Sequence, residues 1–261
     1  MCYLLSTSKK VQFSKGYVNI WGIRMDNPRI LILDIETSPN LAYCWGIWKE
    51  NIGLDQLIKS SEILCWSAKW FGESKMHFAS VYRWTRLDMM TELRDLLHEA
   101  DVVVHYNGRK FDIPTINKDL ARLEIAPPSP FKQVDLIEVS KHTFRFQSNR
   151  LEYVCRELGV GSKQKHTGFE MWKRCLENDG EAWALMEKYN KKDVLITEKL
   201  YKRMKPWMQN HPKLFTGLHT CPTCGSTKVW KHKARIAIKY KYQQYQCQAC
   251  GHYFTAERVK I

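Results

Sequence analysis

Residues 31–40 read LILDIETSPN, an apolar run that enters two acidic residues and then breaks at Ser-Pro-Asn. With Arg29 and Ile30 ahead of it, the run has the leucine and β-branched content of a strand buried on both faces. Side chains two apart on a strand point the same way, so Asp34 and Glu36 are expected side by side at its end. Two like charges at the end of a buried element are unfavourable unless a cation offsets them. The stretch therefore predicts a buried sheet strand and asks for a cation at its tip.

The rest of the chain is long enough to build that sheet. It has 261 residues, sufficient for one sizeable α/β domain and a small appendage. Apolar residues make up 44% and charged ones 26%, ordinary for a globular protein, but the net charge of +14 points to a polyanionic partner. No apolar run approaches the ~20 residues needed to cross a bilayer, so no membrane association is expected. The opening MCYLLSTSKK places its lysines after a short apolar patch, the wrong order for a secretory signal. A cytoplasmic protein with reduced thiols is expected.

Downstream of the acidic pair, AYCWGIW (42–48), EILCWSAKW (62–70) and MHFASVY (76–82) read as further strands, close enough in sequence to pair antiparallel. LDMMTELRDLLHEA (87–100) carries a helical stripe at Leu93, Leu96, Leu97 and Ala100. DVVVHYNGRKFDIPTI follows, with another buried strand at its valines and a glycine-punctuated turn at residues 107–110. Phe111 is expected to anchor in the core and Asp112 to face out at the sheet's edge, with Pro114 in the first turn of a helix. A meander followed by helix and strand predicts an α/β fold, a mixed sheet flanked by helices.

A final long helix is expected over residues 181–204, where Tyr189 and Asp193 are four apart and share a face with Met186, Ile196 and Leu200. Asp193 therefore points inward, which is costly unless it is paired or metal-bound.

The C-terminal module declares itself by its cysteines. CPTCG and CQACG supply Cys221, Cys224, Cys247 and Cys250 as two C-x-x-C pairs separated by 22 residues. One Zn²⁺ on four thiolates is the favoured reading over two disulfides, given the reducing compartment, and Gly225 and Gly251 suit tight turns of positive φ. The module resembles a zinc ribbon. Residues 219–261 carry eight Lys and Arg against one Glu, half of the total charge. Lys231, Lys233, Arg235, Lys239 and Lys241 interleave with Trp230, Tyr240, Tyr242, Tyr245 and Tyr253. Such a surface suits phosphates and bases; the alternative is a thin aromatic core with solubilising lysines.

Together the motifs are more specific than any one alone. The D-x-E of Asp34 and Glu36, the N-x-x-x-F-D of Asn107 to Asp112 and the Y-x-x-x-D of Tyr189 to Asp193 stand in one order with domain-sized gaps. They resemble the three motifs of the DEDD superfamily of 3′–5′ exonucleases, which have a ribonuclease-H-like fold, and Tyr at position 189 matches its tyrosine subgroup. The stretch LEYVCRELGVGSKQKH (151–166) is similar to the helix-and-glycine segment between motifs two and three of such enzymes. The resemblance implies two Mg²⁺ or Mn²⁺ ions held by Asp34, Glu36, Asp112 and Asp193. Asp34 would bridge both ions, Glu36 and Asp193 would serve the one that binds the attacking water, and Asp112 the other. Tyr189 would orient that water, and nucleoside 5′-monophosphates would leave a 3′ end.

The expected domains are an N-terminal extension (1–28), the exonuclease domain (29–204), a linker (205–220) and the ribbon (221–261). Asp135 and His105 are read as structural. Asn107 is assigned to a turn or a substrate contact, and Lys163, Lys165 and His166 to a solvated loop. The expected partner is nucleic acid, with DNA favoured and RNA allowed; zinc ribbons also bind proteins, and a protein partner is left open. The alternatives are a structure-selective endonuclease or RNA-trimming enzyme on the same fold, or a non-catalytic nucleic-acid-binding protein. All four carboxylates are present, which argues against the last.

Overall fold

The computed structural model describes residues 28–162, 167–215, 217 and 219–260. The N-terminal extension short of Pro28, and the loop residues Lys163, Lys165 and His166, lie outside them. The chain runs β1 (Ile30–Thr37), β2 (Leu41–Ala42), β3 (Leu57–Lys59), β4 (Ile63–Trp70), β5 (Met76–Ser80), α1 (Arg86–Glu99) and β6 (Val102–His105). It continues through α2 (Asp112–Arg122), β7 (Lys132–Asp135), α3 (Leu136–Thr143), α4 (Leu151–Glu157), α5 (Phe169–Leu176) and α6 (Gly180–Met204). Three strands close it: β8 (Val229–Ile236), β9 (Tyr240–Cys247) and β10 (Tyr253–Lys260).

The central sheet has the order β5-β4-β1-β6-β7, with β1, β4 and β5 antiparallel and β1, β6 and β7 parallel. The opening stretch is its middle strand. Leu31, Leu33 and Ile35 pack on one face with α1 and α2, through Met89, Met90, Leu93, Ile113 and Ile116. Ile30 and Ile32 pack on the other, against α4 and α6, through Val154, Val194, Leu200 and Tyr201. Helices cover both faces, which is why the strand reads as a continuous apolar run. A buried ion pair, Lys69 Nζ to Glu198 Oε2 at 2.5 Å, staples β4 to α6.

The structure corrects two expectations of detail. The apolar segment 42–48 is not a strand of the sheet. Only Leu41 and Ala42 pair, with β3, in a small two-stranded excursion, and Trp45, Ile47 and Trp48 are exposed. β4 and β6 take the two places beside β1, so the segment does not pair with that strand. At the start of α2 the burial is the reverse of that expected: Phe111 is 44% exposed and Asp112 only 4%. Strand-like alternation does not apply there, because the helix begins at Asp112 and turns that residue back toward β1.

Beyond α6 a short 3₁₀ turn, Lys205–Trp207, leads to the small sheet β10-β9-β8. The intervening residues pack on both sides. Met208 joins the core beneath α6, Tyr201 Oη lies 2.7 Å from His211 Nε2, and the Leu214 amide donates to the Pro222 carbonyl at 2.7 Å.

Candidate functional site

The face of β1 that carries Ile30 and Ile32 continues to Asp34 and Glu36, both half-buried. Beside them on β4 stand Ser67, opposite Asp34, and Cys65, opposite Glu36. Burial, and then the charges of Glu36 and Asp34, push the Cys65 thiol far above its usual range. The helix over this face is α6. It begins at Asp179, whose carboxylate accepts the amides of Glu181 and Ala182, and its inward stripe includes Trp183, Met186, Tyr189, Asn190 and Asp193.

Asp34, Glu36 and Asp193 come together, one carboxylate oxygen from each lying within 4.8 Å of the others. Oxygen donors of this kind suit a hard divalent cation, and the donor set fits one. Tyr189 sits one turn before Asp193, buried, with its ring edge-on to Trp172 at 6.0 Å.

Asp112, the first residue of α2, is not part of that group of three but lies against the same strand. β6 pairs with β1 only over Ile30–Ile32, which leaves the backbone of β1 open on that side. Asp112 Oδ1 fills the gap, accepting the Ile35 amide at 3.2 Å. Burial raises its carboxyl to about 6, although His105 and the Ile35 amide favour the charged form.

The turn that delivers Asp112 is built from residues read as structural. Asn107 has φ +69°, and its amide donates to Asp135 Oδ1 at 2.7 Å, as does the Arg109 amide to Oδ2 at 3.1 Å. The Gly108 amide donates to His105 Nδ1 at 3.1 Å, which leaves Nε2 to carry the proton toward Gln133 Oε1. A Cβ at Gly108 would sit 2.4 Å from His105 Cγ, so glycine is required. Asp135 also caps α3 through the Ile137 amide.

Asn190 was not singled out from the sequence. It is fully buried, and its Nδ2 donates to Asp34 Oδ2 at 2.7 Å and to the Asp34 carbonyl at 3.3 Å. This bond fixes the rotamer of the central carboxylate. The signal was its position three residues before Asp193, on the same helical face.

At the other end of α6, the four thiols of Cys221, Cys224, Cys247 and Cys250 lie within 4.8 Å of one another. Sγ separations of 3.7 Å (Cys221–Cys250) and 3.5 Å (Cys224–Cys247) are far beyond a disulfide bond. They are close to the ~3.8 Å edge of a tetrahedron with Zn–S bonds of ~2.3 Å. Gly225 and Gly251 have φ +75° and +76°, each closing a turn back to the first cysteine of its pair. Tyr245 is buried against Phe254, whereas Trp230 and Tyr253 are exposed with Lys231, Lys233, Arg235, Lys239 and Lys241. Among the described residues no helix is long and apolar enough to cross a membrane.

Comparison with known proteins fits this arrangement. The family model of the RNase H superfamily matches residues 31–205, from β1 through the end of α6. The chain belongs to the RNase H superfamily. The RNase H match ends at Lys205, so the cysteine module lies beyond it. Among solved structures, the family B DNA polymerase of the hyperthermophilic archaeon Pyrobaculum calidifontis is similar in fold, with a TM-score of 0.51 and 16% identity. That likeness covers 71% of this chain and a quarter (25%) of the polymerase chain. No curated protein matches. RNase H-like nucleases act on nucleic acid and typically use divalent metals, for which the acidic group supplies donors; the four cysteines form a separate donor set beyond the matched residues.

Proposed function

We propose that the chain is a metal-dependent 3′–5′ exonuclease of the DEDD type, tyrosine subgroup, with a zinc ribbon that adds grip on nucleic acid. The observation that carries this reading is the meeting of Asp34, Glu36 and Asp193 at the end of β1, with a buried Tyr189 one turn before Asp193. Two Mg²⁺ or Mn²⁺ ions held there would stabilise the attacking and leaving oxygens of an in-line phosphodiester hydrolysis. Asp34, Glu36 and Asp193 are the primary ligands, and Asp112, directed to the neighbouring backbone, completes the acidic set. Asn190 holds Asp34 in place. Tyr189 directs its hydroxyl at the attacking water; with an unperturbed pKa of about 10, a tyrosine acts as an orienting group rather than a base at neutral pH. Water adds to phosphorus, the bond to the penultimate O3′ breaks, and a nucleoside 5′-monophosphate leaves.

The exposed lysines and arginine of β8 and β9, with Trp230 and Tyr253 beside them, support nucleic-acid contact by the ribbon. DNA is favoured as substrate.

The test is incubation of 5′-labelled single-stranded DNA and matching RNA with Mg²⁺, Mn²⁺ or EDTA, beside Asp34→Ala. A metal-dependent ladder shortening from the 3′ end, absent in the variant, is expected. Equal activity in the variant refutes the site, and internal cuts would make the enzyme an endonuclease on the same fold.

A further inference from the structure

The most exposed large apolar side chain among the described residues is Ile238, 98% exposed, at the far end of the cysteine module. It shares a two-residue turn with Lys239. The Ala237 amide donates to the Tyr240 carbonyl at 2.9 Å and the Tyr240 amide to the Ala237 carbonyl at 3.4 Å, which closes the β8–β9 hairpin around them. Just behind the turn Ile236, 73% exposed, pairs with Lys241, and Arg235 pairs with Tyr242. These isoleucines add nothing to the core of the module, which is Cys221, Tyr245, Cys247 and Phe254.

The hairpin is built as an arm. At its root Val229 pairs with Cys247, one of the four thiols. From Cys247 to Lys241 β9 runs six residues, about 20 Å at ~3.3 Å per residue. The ladder shifts register between Lys231 and Ala234, and Gln243 bridges the irregularity, its Nε2 donating to the His232 carbonyl at 2.7 Å. β10 pairs along the other edge of β9 out to Tyr240, so the arm is braced nearly to its tip. Residues 229–247 carry Lys231, Lys233, Arg235, Lys239 and Lys241 and no Asp or Glu. Exposed Arg235, Lys239 and Lys241 thus flank the two exposed isoleucines.

Resting on the reading that the module grips nucleic acid, we propose that the β8–β9 hairpin is a duplex-binding arm, with Ile238 and Ile236 as a wedge that enters a base-pair step. The partner is a double-stranded segment of the substrate. Charge matches it, because the cations around the tip meet phosphates while the hairpin offers no carboxylate to repel them. Dimensions match it too: paired strands lie ~4.8 Å apart, and a two-stranded ribbon is narrow enough for a duplex groove. The chemistry of the tip separates duplex from single strand. Unpaired bases are held by stacking on aromatic rings, and neither isoleucine has a π-face. An aliphatic side chain gains instead by filling an opened base-pair step, while the flanking cations follow the bent backbone. An anionic lipid surface would also accept such a tip; the RNase H-like domain on the same chain favours nucleic acid.

The test compares the full chain with Ile236→Ser/Ile238→Ser and Ile236→Leu/Ile238→Leu in Mg²⁺-free buffer with zinc retained, after circular dichroism and zinc content show all three intact. The probe is a DNA duplex carrying 2-aminopurine, whose emission is quenched by stacking and rises when a step opens; affinity is read by anisotropy. Expected is a rise in emission with the native chain and the leucine variant. The serine variant should bind the duplex about tenfold more weakly and give no rise, with its salt dependence unchanged because every cation remains. Flat emission with the native chain, or an equal rise with the serine variant, overturns the proposal. If flat emission comes with binding to phosphatidylserine vesicles that the serine variant loses, the tip belongs to an anionic lipid surface. Hydrolysis of the 3′ strand is followed separately with Mn²⁺. Its absence in the native chain, with the emission rise still seen, would sink the exonuclease reading and leave the arm standing; hydrolysis without the rise would do the reverse.

Discussion

Asp112→Asn should make the metal-free protein more stable while abolishing its hydrolytic activity. The Asp112 carboxyl is buried and raised to about 6 from 3.8. A raised carboxyl favours the native state while protonated: that stability is present below pH 3.8 and lost as pH rises through about 6. The interval of about 2 pH units corresponds to ~3 kcal/mol of native-state cost at pH 7.5, about half of it relieved by pH 5. Asparagine keeps an oxygen that can accept the Ile35 amide but carries no charge. Urea denaturation in Mg²⁺-free buffer, with zinc retained, should therefore give a higher midpoint for the variant at pH 7.5 and a smaller gain at pH 5. A variant no more stable than native, or a gain independent of pH, would refute the view that this carboxylate is held ionised against its surroundings.

Further outcomes follow from neighbouring contacts. Asn190→Leu removes the amide bonded to Asp34 Oδ2; a charge-assisted bond of ~1.5–3 kcal/mol implies a half-saturating Mn²⁺ concentration about ten- to a hundredfold higher, read by titrating activity with metal. Gly108→Ala, which drives a Cβ into His105, should cost about 1–3 kcal/mol by thermal denaturation and lower activity through displacement of the turn before Asp112. Cys224→Ser should reduce zinc content measured by atomic emission and loosen β8–β10 to proteolysis, with the central sheet intact.

The sheet and much of the acidic group were legible because their signals are local. The run at residues 30–35 states its burial on both faces, Tyr189 and Asp193 share a face by helical spacing, and the C-x-x-C pairs need only their turns. What was hidden depends on neighbours. The aromatic segment at 42–48 has strand composition, but β4 already holds the sheet position beside β1. The burial of Asp112 rather than Phe111 follows from the short pairing of β6 with β1, which only the assembled sheet reveals. Asn190 carries no charge to draw notice, and its importance lies in a contact 156 residues away in sequence.

Helix α6 has a geometric consequence of its own. It carries Asp193 within the RNase H-like half and runs directly into Lys205, which is buried where the cysteine module packs. Those positions are twelve residues apart, about 18 Å along a helix that rises 1.5 Å per residue. At 3.4 Å per stacked nucleotide, that span equals roughly five nucleotides. The helix is in effect a ruler. On the exonuclease reading, strands longer than this would engage both ends and shorter ones the acidic group alone, so the benefit of the basic module should set in at a defined minimum length.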